Sequence, residues 1–355
     1  AMPHMTALSD LTREQLGETL QRWGEPRYRA DQIWHWLYVR LAPSFDEMSN
    51  LPAAVRARLG CEFALPGVQP LQTLHSEDGA TEKVVLRLAD GETVETVLMS
   101  YDARHTVCVS TQVGCAIRCS FCATGLQGWT RNLTAGEIVE QVLYFARSLR
   151  ARGQKVTNLV YMGMGEPFLN EDAVFASIMR CNDPQGLNLG ARRITVSTAG
   201  LVPGIRHLGD AGPPVGLAVS LHAPKDDLRS RLMPINERYP LGDLMAACRY
   251  YAERTHRRVS FEYALIAGVN DALTQADDLA RMLHGVLCHV NLIAANVVPE
   301  TGYAPSPREH VLAFQRRLQQ HGVNTTLRLS RGADIQAGCG QLRGGLVQCQ
   351  TVVDV

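Results

Sequence analysis

No run of this chain approaches the ~20 consecutive apolar residues that a membrane-spanning helix needs. No apolar signal region follows the N-terminus, where Ala1-Met2-Pro3-His4-Met5 reads as a short extension ahead of a native start. Any excess of charge is missing too: 35 Lys and Arg balance 35 Asp and Glu, so the total carries no electrostatic signature of nucleic-acid binding. Patches matter more than totals. Local basic groups stand at Arg147, Arg150, Arg152 and Lys155, at Arg254, Arg257 and Arg258, and at Arg316 and Arg317, each read as a solvated helix end or loop. Repeats and low-complexity segments are absent. What remains is a chain of 355 residues, 46% hydrophobic and 20% charged, long enough for one large domain and a small one. Ten cysteines without a signal region imply the reducing cytosol, so a cytoplasmic location with no membrane partner is expected.

Residues 10–60 carry helical periodicity. Thr12 starts one helix, Ile33, Trp34, Leu37 and Tyr38 share a face of a second, and Pro52 opens a third. Trp34 and Trp36 cannot share a face, so one is core and the other partly exposed. From about 68 to 100 the pattern changes to strands. Residues 82–88 and 92–99 flank the turn signal Asp90-Gly91. There Thr93, Glu95 and Val97 share a face, and Glu95 reads as solvent-facing.

Beyond residue 104, strand and helix alternate. Strands are expected at 105–110, 157–162, 193–197, 215–221, 258–266, 289–298 and 325–329. The helices between them include one that starts with the capping box Thr134-Ala-Gly-Glu137. Parallel strands with crossover helices give an α/β sheet, open or curled into part of a barrel, whose function gathers at the carboxyl ends of the strands. Gly163-Met-Gly-Glu166-Pro167, Ser197-Thr198-Ala-Gly200, Ser220-Leu221-His222 and Asn296 all fall there.

The loop after the first of these strands holds Cys115, Cys119 and Cys122, at spacings of four and three. Structural zinc sites usually take four ligands in pairs, and no second pair lies near. Three thiolates suit a four-iron cluster with one iron left open. Zinc and chance spacing stay open as lesser readings. Cys108 and Cys339 stand apart from the cluster, the latter in the glycine-rich loop Gly332–Leu342, which must be mobile or sharply bent. A buried structural cysteine is the plain reading of Cys61, Cys181, Cys248, Cys288 and Cys349.

The spacing Cys-x3-Cys-x-Phe-Cys resembles the signature of the radical S-adenosylmethionine (SAM) enzymes. Further motifs narrow the resemblance, in this order: Cys108-Val-Ser-Thr-Gln-Val-Gly-Cys115, Gly163-Met-Gly-Glu166-Pro167-Phe-Leu-Asn170, Ser220-Leu-His222-Ala-Pro, Met233-Pro-Ile-Asn236, Gly268-Val-Asn270-Asp271 and Cys339-Gly-Gln-Leu342. They are similar to those of the dual-specificity rRNA/tRNA adenine-C2 methyltransferases of the RlmN/Cfr radical SAM family, from the N-terminal helices to about residue 346. The sister group, which methylates C8 of the same rRNA adenine, shares most of them; Pro167 after Glu166 favours C2. A cluster- or zinc-bearing RNA-binding protein without catalysis is the alternative of another class.

The resemblance implies a radical SAM partial (β/α)6 barrel over 104–346, ending in a catalytic cysteine loop. It also implies a helical RNA-binding domain at 1–65, a β-hairpin extension at 66–103 and a tail at 347–355. Cys115, Cys119 and Cys122 would hold one [4Fe-4S] cluster with an open iron. Gly165, Glu166, Ser197, Ser220, Leu221, His222 and Asn296 would contact SAM, used twice per turnover. For His222 a satisfied strand-end histidine is the equal reading. Cys339 would be the S-methylcysteine, linked transiently to RNA; Glu95 the proton acceptor; and Cys108 the resolving thiol, forming a transient disulfide with Cys339. The expected partners are rRNA, tRNA, a flavodoxin- or ferredoxin-like electron donor and a thiol reductant, for a chain acting as a monomer. Little chain follows Gly345 and it lacks a basic run, which bears on the balance between rRNA and tRNA.

Overall fold

A computed structural model describes residues 5–328 and 330–345. Residues 1–4, Leu329 at the end of the last expected strand, Cys349 and the 347–355 tail lie outside the described residues.

The chain begins with β1 (Thr6–Ala7), α1 (Arg13–Arg22), α2 (Arg29–Tyr38), α3 (Ala53–Glu62) and β2 (Phe63–Ala64). Thr12 caps α1 reciprocally with Gln15: its hydroxyl accepts the Gln15 N–H, and the Gln15 side chain accepts the Thr12 N–H. Helix α2 buries Ile33, Trp34, Leu37 and Tyr38, the four placed on one face by their spacing. Trp34 also donates its indole N–H to Asp183 at 2.9 Å, whereas Trp36 is half-buried. The parallel pairing of β1 with β2 ties the two ends of this helical unit together.

The strand-rich stretch holds β3 (Gln69–His75), β4 (Thr81–Arg87) and β5 (Thr93–Tyr101), followed by β6 (Arg104–Cys108). The hairpin read from sequence is β4–β5, and β3 adds a third antiparallel strand to it. Next come β7 (Gln112–Gly114), α4 (Ala123–Gln127), β8 (Trp129–Asn132) and α5 (Ala135–Ala151), the last opened by the expected Thr134–Glu137 box. The alternating part continues as β9 (Asn158–Tyr161), α6 (Glu171–Asn182), β10 (Ile194–Thr198), α7 (Val202–Asp210), β11 (Gly216–Ser220), α8 (Asp226–Leu232) and α9 (Leu241–Thr255). It ends with β12 (Val259–Leu265), α10 (Leu273–Leu283), β13 (Cys288–Ala294), α11 (Arg308–Gln320) and β14 (Thr325–Arg328).

One ten-stranded sheet runs β14-β13-β12-β11-β10-β9-β6-β5-β4-β3. From β6 to β13 the neighbours are parallel, as crossover helices require, giving the six strands of the partial barrel. Strand β14 extends them in parallel, and β5 joins β6 antiparallel at the other end. The apolar strand residues Val107, Leu159, Val196, Val219, Phe261 and Leu292 are buried against helix residues such as Ile138, Val142, Ile178, Ile205, Leu244, Leu279 and Phe314. No helix among the described residues is long and apolar enough to cross a membrane.

Some expectations change here. Glu95 is buried, not solvent-facing, because the face it shares with Val97 is covered by the loop around Cys339. Cys181 and Cys248 are buried as expected, but Cys61 is exposed on α3 and Cys288 only half-covered. Of the cations read as solvated, Arg147 is largely covered, while Arg152, Arg254 and Arg317 stay exposed as expected and make surface ion pairs. Arg147 pairs with Glu140, Arg152 with Glu82, Arg254 with Asp210 and Arg317 with Asp277, while Arg150 bonds the Arg40 carbonyl.

Candidate functional site

At the carboxyl ends of the parallel strands the chain lines a deep cavity. Cys115, Cys119 and Cys122 stand on its wall with Gly165, Glu166, Ser197, Ser220, His222, Asn296 and Cys339. Ten of the residues singled out in the sequence therefore meet in one place. Leu221 does not join them. Its side chain is fully buried, its N–H donates to the Glu262 carbonyl and its own carbonyl accepts from Arg229.

Local geometry explains the motifs. A Cβ on Gly163 would come within 2.7 Å of the Val109 carbonyl oxygen. Gly165 has φ +97°, and a Cβ there would meet Gln112 at 2.6 Å. This lets the turn after β9 pack on the strand that feeds the cysteine loop. Glu166 follows, fully committed: Oε2 accepts the Ala199 N–H at 2.7 Å and Oε1 the Phe168 N–H at 3.2 Å. Burial lifts its carboxyl to about 7 against those hydrogen bonds. Asn170 donates to the carbonyls of Thr111 and Leu133, and Asn270 to those of His222 and Ala264, so both act on backbone. His222 sits at φ +57° with Nδ1 accepting the Ala264 N–H at 2.9 Å and its ring edge-on to Phe121. Burial pushes its pKa down to about 3, so the ring is neutral. The satisfied strand-end histidine is thus present, and the same ring faces the cavity.

The three thiols are held away from water. Burial pushes Cys115 up to about 12, and burial together with the neighbouring Cys122 and Cys115 also lifts Cys119 well above the usual thiol range. Thiols so placed ionise when a cation compensates them, which is what a metal or cluster does. Among the described residues no three His, Cys, Asp or Glu side chains converge on a single point of ionic size. The cysteines instead surround shared space, the arrangement a multi-iron group needs.

Behind this wall lies a second cavity. It shares Cys122, Thr124, Met162, Gly163, Ile293, Cys339 and Gly340 with the first and adds Cys108. Cys339 is exposed because it overlooks both spaces; the protein packed around it still pushes its thiol up. Cys108 is buried at the end of β6, and burial followed by the nearby Cys339 raises it to about 12. All nine described cysteines are free.

The loop that carries Cys339 is sharply bent, with positive φ at Gly332, Gln336 and Gly340, and is hydrogen-bonded to its surroundings. Asn296 donates to the Cys339 carbonyl at 2.9 Å, Gln341 to the Val297 carbonyl at 2.9 Å and Thr124 to the Leu342 carbonyl at 2.6 Å. The Ala123 N–H reaches the Gly340 carbonyl at 2.7 Å. Glu95 takes part: it lines neither cavity, and its two oxygens accept from Lys83 and from the Arg343 N–H.

Sequence reasoning missed three groups. Arg229 is fully buried and donates to the carbonyls of Ala199, Ser220 and Leu221 and to Asn236, joining two strand ends to the Met233–Asn236 turn. Glu262 lines the first cavity, paired with Arg328 on the second. Around the second cavity stand Arg104, Arg192, Arg193, Arg328 and Arg331, with the Tyr101 ring between Arg104 at 4.1 Å and Arg331 at 4.4 Å. The Arg192-Arg193 pair was visible in the sequence; the rest are brought together by folding.

Comparison with known proteins follows these features closely. The radical SAM superfamily model matches residues 109–280, and that of the ribosomal RNA large subunit methyltransferase N-terminal domain matches residues 6–64. A probable dual-specificity RNA methyltransferase RlmN of Chloroflexus aurantiacus is 51% identical, over 95% of this chain and 92% of its own. One of Geobacillus kaustophilus is 47% identical over 96% and 93%. The crystal structure of a radical SAM methyltransferase from Sphaerobacter thermophilus is 52% identical, superposes with a TM-score of 0.94 and covers 96% of this chain and all of that one.

Proposed function

The chain belongs to the dual-specificity RNA methyltransferases of the radical SAM superfamily, and from that premise we propose that it methylates C2 of adenine in large-subunit rRNA and in tRNA next to the anticodon. Membership makes it an enzyme acting on RNA, with an iron–sulfur cluster and SAM as cofactors. The observation that carries the finer reading is the position of Cys339 on the wall common to the two cavities. One side holds the cysteine triad and the other holds Cys108 beneath an arginine-rich rim.

Cys115, Cys119 and Cys122 would hold a [4Fe-4S] cluster through three thiolates. Gly165, Glu166, Ser197, Ser220, His222 and Asn296 face the space where SAM would lie, and Leu221 contributes only as buried packing. Bound together, cluster and SAM supply a methyl group and one-electron chemistry, which an electron-poor ring carbon requires because it cannot attack a sulfonium methyl as nitrogen does. Cys339 bears the one-carbon unit and presents it to the base, becoming linked to RNA. Glu95 is the candidate acceptor for the C2 proton, once freed from the hydrogen bonds it makes here. Cys108 attacks the sulfur of Cys339, releasing the methylated base and leaving a disulfide that a thiol reductant reopens. The Sγ–C bond breaks, the S–S bond forms, the electron pair leaves with carbon, and the proton given up by the Cys108 thiol ends on that carbon as the third hydrogen of the methyl group.

RNA enters over the second cavity. The arginines there meet phosphates, Arg328 and Arg331 after release from Glu262 and Asp78, and the target base is extruded to reach the sulfur. The unit spanning 1–65 grips the RNA alongside the 66–103 strands, the 104–346 barrel does the chemistry, and a small electron-transfer protein feeds the cluster of a monomeric cytoplasmic enzyme.

The test is anaerobic incubation of the reconstituted enzyme with labelled SAM and rRNA or tRNA fragments, followed by nucleoside mass spectrometry. We expect 2-methyladenosine in both. 8-Methyladenosine would move the chain to the sister specificity, and unmodified RNA from iron-loaded enzyme supplied with reductant would overturn the reading.

A further inference from the structure

Lys83 takes no part in the roles above, yet it is among the most deeply buried large side chains of the molecule. Its ammonium donates to Glu95 Oε1 at 3.0 Å, with both side chains about 1% exposed. In the β4–β5 register Lys83 lies opposite Val97, and Val97 lies opposite Cys108 on β6. Paired residues share a face, so Lys83, Val97 and Cys108 form one row, with Glu95 two residues along β5 on the same side. That row looks at the loop bearing Cys339.

The side chains of Lys83 and Glu95 each make one further hydrogen bond, and both go to that loop. Lys83 donates to the Gln336 carbonyl at 3.2 Å. The other oxygen of Glu95 accepts the Arg343 N–H at 2.7 Å. The two anchored points flank Cys339, three residues before it and four after. An ion pair buried in a sheet adds little stability over apolar side chains of equal volume. It fixes direction instead, because each charged group orients whatever bonds it.

We propose that Lys83 is a positioning residue: through the Lys83–Glu95 pair, β4 and β5 hold both shoulders of the Cys339 loop and so set the sulfur at the wall between the cavities. The proposal rests on Cys339 as the one-carbon carrier, and it describes the loop before Glu95 is released to accept a proton. Ties from Asn296, Ala123 and Thr124 fix the loop on its cluster side; the buried pair fixes it on the side of Cys108.

The test uses the full-length, cluster-loaded enzyme with Lys83→Met, Arg343→Pro and Arg343→Ala. Arg343→Pro deletes the N–H that Glu95 accepts without touching the buried pair, so it reports even where Lys83→Met fails to fold. Arg343→Ala keeps that N–H and loses the guanidinium, with its contact to Glu300 and its weaker attraction to Glu95. Hydrogen exchange of residues 332–345 should rise about tenfold or more in Lys83→Met and Arg343→Pro, the scale of one lost charge-assisted hydrogen bond, and stay near wild type in Arg343→Ala. Exchange in β11 and β12 should not change. Turnover per iron-loaded chain should fall by a similar factor while the KM for SAM holds. Wild-type exchange of the loop in Arg343→Pro, equal acceleration across the whole sheet, or an Arg343→Ala effect as large as that of Arg343→Pro would each overturn the proposal. Loss of the carrier reading would register separately, as RNA methylation surviving in Cys339→Ser.

Discussion

Glu166 and Ala199 are joined at 2.7 Å, carboxylate oxygen to backbone N–H, so the acidic residue after β9 holds the end of β10 in place. Together with the Phe168 N–H, this makes Glu166 part of the cavity's frame as well as its lining. Glu166→Ala leaves two buried donors without partners, and we expect a loss of about 2–4 kcal/mol in urea unfolding. SAM binding by equilibrium dialysis should fall as well. A variant with wild-type midpoint would show that the cavity frame does not depend on this contact.

Cys108 and Cys339 stand on one cavity, which gives their variants opposite signatures. Cys108→Ala should accumulate a covalent protein–RNA adduct, seen as a slow band on a denaturing gel that carries label from SAM. Cys339→Ser should give neither adduct nor methylated RNA while retaining its iron. Free methylated RNA at the wild-type rate from Cys108→Ala would reject the resolving role.

The arginine rim of the second cavity makes a salt-dependent prediction. Arg192→Gln with Arg193→Gln should weaken RNA binding whatever the sequence, and reduce the slope of log affinity against log salt by about 1–2. Fluorescence anisotropy across a salt series measures it. An unchanged slope would place the phosphate contacts elsewhere.

How much of this could be read before folding depends on how far the information is spread along the chain. The triad Cys115, Cys119 and Cys122 was legible because its ligands are close in sequence, and so were the strand-end motifs, since the alternating pattern puts them all on one edge. Glu95 was misread as solvent-facing because its cover comes from residues 336–343 and its cation from the neighbouring strand. Arg229 left no signal: a cation holding carbonyls has no characteristic spacing, and nothing in its own segment shows that three strand-end carbonyls await it. The basic surface was sought in runs of charge, but four of those nine cations, Arg147, Arg152, Arg254 and Arg317, are engaged with acids. The rim is drawn instead from β6, the start of β10 and the end of β14.

Acid stability provides a prediction away from the site. The Arg317 guanidinium, then His321, hold the Asp277 carboxyl down to about 2. A depressed carboxyl stabilises the fold above the unfolded value near about 4, and that contribution fades as pH falls toward 2. Asp277→Asn should therefore be less stable than wild type at pH 6, with the gap narrowing by pH 3. Denaturant midpoints at the two pH values measure it, and a gap that widened on acidification would contradict the assignment.

Under the proposed carrier role, a sulfur that lines both cavities serves donor and acceptor from different spaces, so neither need leave for the other to bind.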